Sequence, residues 1–204
     1  MKHTFLIFAL IGCSLLGKAQ RITSAKFIIS DHGKGIRSVE LVIDSNTVVM
    51  ISGSGELISA DTYDGREYND VDYSRDKQFE YYGDFDKDKA GKLKSIGKLK
   101  IDYYSTFDIH DKPGNIKSIG DIKFTYYNTF DIHDQPGNLK TIGAIKLTYY
   151  NTFDIHDPQG KVKTVGGVKV TYFNKFDSDR LFGKVKTIKG NTKAVYIIAT
   201  NRSR

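Results

Sequence analysis

Between residues 77 and 199, apolar and polar positions alternate in short bursts punctuated by glycine, and the bursts recur at a fixed interval. Gly91, Gly114, Gly137, Gly160 and Gly183 stand 23 residues apart. Two positions beyond each lies an aliphatic residue: Leu93, Ile116, Leu139, Val162, Val185. Three beyond is always lysine (Lys94, Lys117, Lys140, Lys163, Lys186), and five beyond is again aliphatic (Ile96, Ile119, Ile142, Val165, Ile188). A second glycine follows at Gly97, Gly120, Gly143 and Gly166. Self-similarity at constant period marks a repeat array. About five units are legible, and residues 79–86 match the end of a preceding one.

The second half of each unit alternates with period two, the pattern of a half-buried strand. In residues 122–130, Ile122, Phe124, Tyr126 and Phe130 fall on one face, and Lys123, Thr125, Tyr127 and Thr129 on the other. The first half, as in residues 138–142, is a shorter strand ending at the second glycine. A loop of about seven residues rich in Asp, Pro and Gly closes the unit, with Asp bonding locally to backbone and Gly supplying positive φ. Each unit therefore reads as a β-hairpin. The array reads as an extended antiparallel meander sheet, and the fold class as all-β. Two registers remain open: a two-residue turn at the second glycine places Lys117 opposite Phe124, whereas a three-residue turn or a bulge places Ile116 there.

Residues 20–76 do not share the period. Strand patterns at 26–30, 36–44, 47–52 and 56–60 suggest an N-terminal β cap or small subdomain, since repeat arrays need atypical ends. Residues 62–76 are polar and tyrosine-rich, a connecting loop or irregular edge. Residues 193–199 lack the tyrosine pair and read as a closing strand, with 200–204 a tail.

Residues 1–19 have a basic start (Lys2, His3), a mostly apolar run from Thr4 to Leu16, and small residues at Gly17 and Ala19. That is the layout of a secretory signal peptide cleaved after Ala19. A second reading takes residues 10–13 as a lipobox, with Cys13 carrying a lipid anchor to the membrane. Cleavage after Ala19 removes the single cysteine, so no disulfide or thiolate chemistry remains. It also removes Lys2 and Lys18, lowering the net charge from +7 to +5. The expected location is secreted or periplasmic, and a basic exported chain favours anionic partners.

At the residues Tyr-Tyr-Asn, Phe-Asp and Gly-Lys-Val-Lys-Thr-Val-Gly, the units resemble YD/RHS-like and MORN-like β-hairpin repeats. They also resemble cell-wall- or choline-binding repeats, which follow an aromatic pair with Asp, Gly and a closing Gly. The resemblance covers roughly half the chain and implies a sheet of stacked hairpins.

Two sets of residues carry candidate chemistry. The face opposite the apolar stripe is expected to present Lys100, Lys123, Lys146 and Lys169 beside Tyr104, Tyr127, Tyr150 and Phe173. Cations spaced evenly beside aromatic rings suit an acidic polysaccharide, while aromatic residues on both faces also suit a surface protein partner. The second set is the loop sequence Asp-Ile-His-Asp. His110, His133 and His156, with Asp111, Asp134 and Asp157, form a ladder of zinc-type ligands, equivalent loops lying about 9.6 Å apart at two strands per unit. Residues 84–88 mimic the start of a calcium loop without its glycine. Catalysis requires unlike groups converging on one point, whereas a translational repeat places like groups in a row. The expectation is a non-enzymatic structural or binding module, with metal binding or catalysis by the Asp-Ile-His-Asp loops as the alternative.

Overall fold

The computed structural model describes residues 20–31, 33–62 and 78–200. The expected signal segment with Cys13, the turn residue His32, residues 63–77 of the connection and the tail from 201 onward lie outside the described residues. Among those described, every regular element is a strand.

The repeat region forms a ten-stranded sheet in strict chain order, each strand antiparallel to the next. It starts at β5 (Phe79–Tyr81), and the units follow as β6 (Leu93–Ile96) with β7 (Leu99–Tyr103), then β8 (Ile116–Ile119) with β9 (Ile122–Tyr126). They continue as β10 (Leu139–Ile142) with β11 (Ile145–Tyr149) and β12 (Val162–Val165) with β13 (Val168–Tyr172), and end at β14 (Val185–Lys189). The expected meander of hairpins is what the chain forms.

Of the two registers that the sequence left open, the two-residue turn is the one that forms, and Ile116 pairs with Tyr103 of the preceding unit rather than with Phe124. At the second glycine the turn has two residues: Ile119 pairs with Ile122, and Gly120 takes φ 55°. Glycine at the first central position is the II′ solution, whose twist matches the flanking strands. On the long-loop side a bulge intervenes. Leu139 pairs with Tyr126 and Thr141 with Thr125, so Lys140 has no opposite number. Lys94, Lys117, Lys163 and Lys186 are the extra residues in the other units. A bulge lets residues three apart face the same side. Leu139 and Ile142 are both fully buried for that reason, and an aliphatic spacing of three replaces the expected two.

The period-two extrapolation fails beyond Tyr126, where the strand ends. Tyr127 is buried rather than solvent-facing, and Phe130, expected in the core, is 72% exposed. The chain leaves the pleat at Tyr127, whose N–H donates to the Asn138 carbonyl (2.8 Å) while its own carbonyl accepts from the Gly137 N–H (2.8 Å). Those two bonds close the long loop.

The N-terminal strands do not cap an end of the array. β1 (Ile22–Ser30), β2 (Ile36–Ile43), β3 (Thr47–Ser52) and β4 (Leu57–Thr62) form a second sheet. Its fifth member is β15 (Val195–Thr200), which runs parallel to β1, with Ile197 beside Phe27. The segment expected to close the array thus leaves it for the other sheet. One face of this sheet is almost wholly apolar, with Phe27, Leu41 and Val49 fully buried and Thr47 among them. That face shares one core with the buried face of the array. The result is an open two-sheet sandwich, sheets about 10 Å apart. Backbone bonds stitch the layers: the Ile116 N–H donates to the Gly55 carbonyl (2.8 Å) and the Gly35 N–H to the Gly160 carbonyl (2.7 Å). Lys161, 6% exposed, sends its ammonium to the carbonyls of Ser30 and Asp31, tying the fourth unit to the end of β1. A single hairpin cannot hide its apolar residues, each worth roughly 1.5–3 kcal/mol when fully buried. Neighbouring hairpins and the second sheet hide them together.

Candidate functional site

The sandwich leaves one broad face of the ten-stranded sheet open, and the repeat writes it in columns. Lys100, Lys123, Lys146 and Lys169 are exposed there, each cross-strand from a hydroxyl residue: Ser95, Ser118, Thr141 and Thr164. Between them run hydroxyl pairs, Thr125 with Thr141, Thr148 with Thr164 and Thr171 with Thr187, each at 2.7 Å. None of the four lysines meets a carboxylate among the described residues. Two strands separate successive members, so the positive charges stand about 9.6 Å apart.

The second lysine column differs. The bulge aims each of these side chains back along its own loop, where it forms an ion pair: Lys117 with Asp108 (2.8 Å), Lys140 with Asp131 (2.7 Å), Lys163 with Asp154 (2.7 Å) and Lys186 with Asp177 (3.0 Å). Each ammonium also lies over a ring, Tyr104, Tyr127, Tyr150 or Phe173, at 5.1–5.3 Å from the centroid. The same aspartates accept the N–H three residues back, as Asp131 does from Asn128 (3.1 Å). The Lys117 hydrogen bond and the Ser105 N–H hold the Asp108 carboxyl down at about 2. Asp131 is lowered in the same way, chiefly by Lys140. This column is neutralised internally and builds the loop. Its constant spacing was visible in the sequence; its partner, nine residues earlier, was not recognised as such.

The aromatic part of the expected site requires correction. Tyr104, Tyr127 and Tyr150 are buried, and Phe173 is half-buried beneath Lys186. Their hydroxyls donate to carbonyls of the next unit: Tyr104 to Phe124, Tyr127 to Leu147 and Tyr150 to Val170, at 3.0–3.1 Å. Burial pushes Tyr104 and Tyr127 up to about 12. These rings are scaffold, and only the lysines of the expected face meet solvent.

The Asp-Ile-His-Asp loops do not assemble the expected ligand ladder. Each histidine turns to the phenylalanine of the next loop: His110 to Phe130 (4.6 Å between centroids), His133 to Phe153 (4.1 Å) and His156 to Phe176 (4.5 Å). His133 Nδ1 is also 2.9 Å from the Thr152 hydroxyl, and Asp134 accepts from the Asn151 amide at 3.4 Å. Among the described residues no three His, Cys, Asp or Glu side chains come together as a metal site would require. Asp111 and Asp157 stand in separate loops beside their own histidines. In the calcium-like stretch, Asp88 accepts from the Thr106 N–H (2.9 Å) and hydroxyl (2.8 Å), which joins the first loop to the second.

What the sequence reading missed is the row of loop phenylalanines. Phe85, Phe107, Phe130, Phe153 and Phe176 are 71–103% exposed, with Ile109, Ile132 and Ile155 beside three of them. The described residues line several clefts, among them the following two. One of about 780 Å³ has Leu57, Ile58, Phe79, Tyr81, Leu93 and Tyr103 in its walls. The other, of about 480 Å³, lies around Asp31, Lys34, Asp157, Lys161, Lys175 and Phe182.

Comparison of the chain with protein-family models, with curated protein sequences and with solved structures gives no match. The functional reading therefore stands on residues and geometry alone.

Proposed function

We propose that this chain is an exported, non-enzymatic β-repeat protein, a binding module of the cell surface or periplasm that holds an acidic polysaccharide along its open face. The observation that carries the reading is the contrast between the two lysine columns. One is neutralised in four units by Asp108 and its equivalents, Lys94 of the first being the exception; the other, Lys100, Lys123, Lys146 and Lys169, meets no carboxylate among the described residues. Like charges in a row on one sheet face repel, and the row gains from a partner bearing evenly spaced negative charges. Serine and threonine hydroxyls between the lysines suit the hydroxyls of a sugar chain. The pattern of residues 1–19 supports export.

The test is retention of the chain on immobilised alginate and heparin. Binding is expected to weaken steeply with salt, since exposed charges are screened within about 8 Å at physiological ionic strength. Lys123→Ala, Lys146→Ala and Lys169→Ala combined should abolish retention. Unchanged retention of that triple variant refutes the reading.

A further inference from the structure

The geometry points to a second, separate binding edge: the loop phenylalanines form a platform for an uncharged β-1,4-linked polysaccharide chain. Phenylalanine occupies the same place in all five loops, yet packs into no core. The first and last loops have diverged around it, reading Asp-Lys-Asp-Lys-Ala after Phe85 and Asp-Ser-Asp-Arg-Leu after Phe176. Phe85 and Phe107 also lack a preceding histidine to stack on, so that contact does not explain why the residue recurs. Apolar side chains of this size, repeated in the open along one edge, mark an interaction surface.

The loops are built, which keeps the rings in place. Asn128 and Asn151 accept the N–H of Phe130 and Phe153 through their side-chain oxygens (3.0 and 3.1 Å). Adjacent loops are joined by backbone bonds, as from the Lys175 N–H to the His156 carbonyl (3.0 Å).

Spacing and charge select the occupant. Successive rings are two strands apart, about 9.6 Å, close to the advance of two sugars along an extended β-1,4-linked pyranose chain. In such a chain every second sugar presents the same apolar C–H face, so alternate sugars meet successive rings. Threonine, histidine and aspartate beside Phe107, Phe130 and Phe153 supply partners for the equatorial hydroxyls. With Asp108, Asp131 and Asp154 paired to Lys117, Lys140 and Lys163, the three middle loops still set Asp111, Asp134 and Asp157 against one lysine, Lys112. That balance disfavours an acidic polymer here, and a bilayer surface would call for Lys and Arg beside the rings. Sheet twist turns each unit by roughly 40–50° relative to the last, which limits a straight chain to about three consecutive rings.

Isothermal titration of the chain with cellotetraose, cellohexaose, cello-octaose and chitohexaose tests this. Affinity should rise about tenfold from tetraose to hexaose and little beyond. Phe130→Ala with Phe153→Ala should weaken hexaose binding at least about tenfold without moving the melting temperature, because both side chains are exposed. The triple lysine variant should still bind both hexaoses, which separates this edge from the acidic-polymer face. Failure of both hexaoses to bind overturns the inference, as does binding that the double variant leaves intact. It is equally overturned if the double substitution instead dissociates a dimer or releases the chain from phosphatidylcholine vesicles.

Discussion

The hydroxyl of Tyr127 donates to the carbonyl of Leu147, twenty residues on, at 3.0 Å. The bond leaves one unit and ends in the next, and the Tyr127 ring packs edge-on against Tyr149 at 5.8 Å on the way. Repeated at Tyr104 and Tyr150, it couples neighbours that share only short ladders. Tyr127→Phe removes the donor and leaves the Leu147 carbonyl unpaired, at an expected cost of about 1–2 kcal/mol in urea unfolding. The same residue predicts alkaline behaviour. Its folded-state value, raised by burial to about 12, exceeds the unfolded value of about 10. The stabilisation is therefore complete below about pH 10 and lost as pH rises towards about 12. Tyrosinate absorbance should accordingly appear together with loss of structure.

Asp108, Asp131 and Asp177 titrate in the opposite sense. Hydrogen bonds from lysine and backbone lower their folded values. Their contribution is present above the unfolded value of about 4 and disappears as pH falls, for Asp108 towards about 2. Urea midpoints measured between pH 6 and 2 should fall through this window, and Asp131→Asn should shallow the fall.

Glycine positions differ in what they tolerate. Gly143 has φ 54° with only side-chain atoms near a new Cβ, so Gly143→Ala should cost about 1–2 kcal/mol for backbone conformation alone. A Cβ at Gly55 would lie 2.1 Å from the Tyr126 hydroxyl, between the two sheets. Gly55→Ala should cost roughly 2–4 kcal/mol, strain adding to overpacking. Thermal melts of the two variants settle the order.

Lys169 and Lys189 face each other across β13 and β14. Like charges directly opposite are destabilising. Lys189→Glu should raise stability by roughly 0.2–1 kcal/mol at low salt, with the gain shrinking at high salt. An unchanged melting temperature at low salt would count against this pairing.

Local rules acting within one unit wrote the period, the hairpins and the all-β class into the residue order, whereas the turn length stayed open until the pairing of Ile119 with Ile122 decided it. Glycine spacing and period-two alternation made them legible. The bulge was half legible, because Ile116 and Ile119 stand three apart where a plain strand wants two. The fate of the tyrosine pair was not. Alternation puts Tyr126 and Tyr127 on opposite faces, but the strand stops at Tyr126 and the loop closes on Tyr127, so both are buried. Nothing in residues 20–62 alone says that they lie over the array rather than at its end, or that β15 returns to pair with β1. Those outcomes depend on which apolar faces meet across the sandwich, a contact between residues far apart in the chain, 61 positions for Gly55 with Ile116 and 125 for Gly35 with Gly160. The same contact decided which lysine column faces water: Lys100, Lys123, Lys146 and Lys169 are exposed because the second sheet covers the other side.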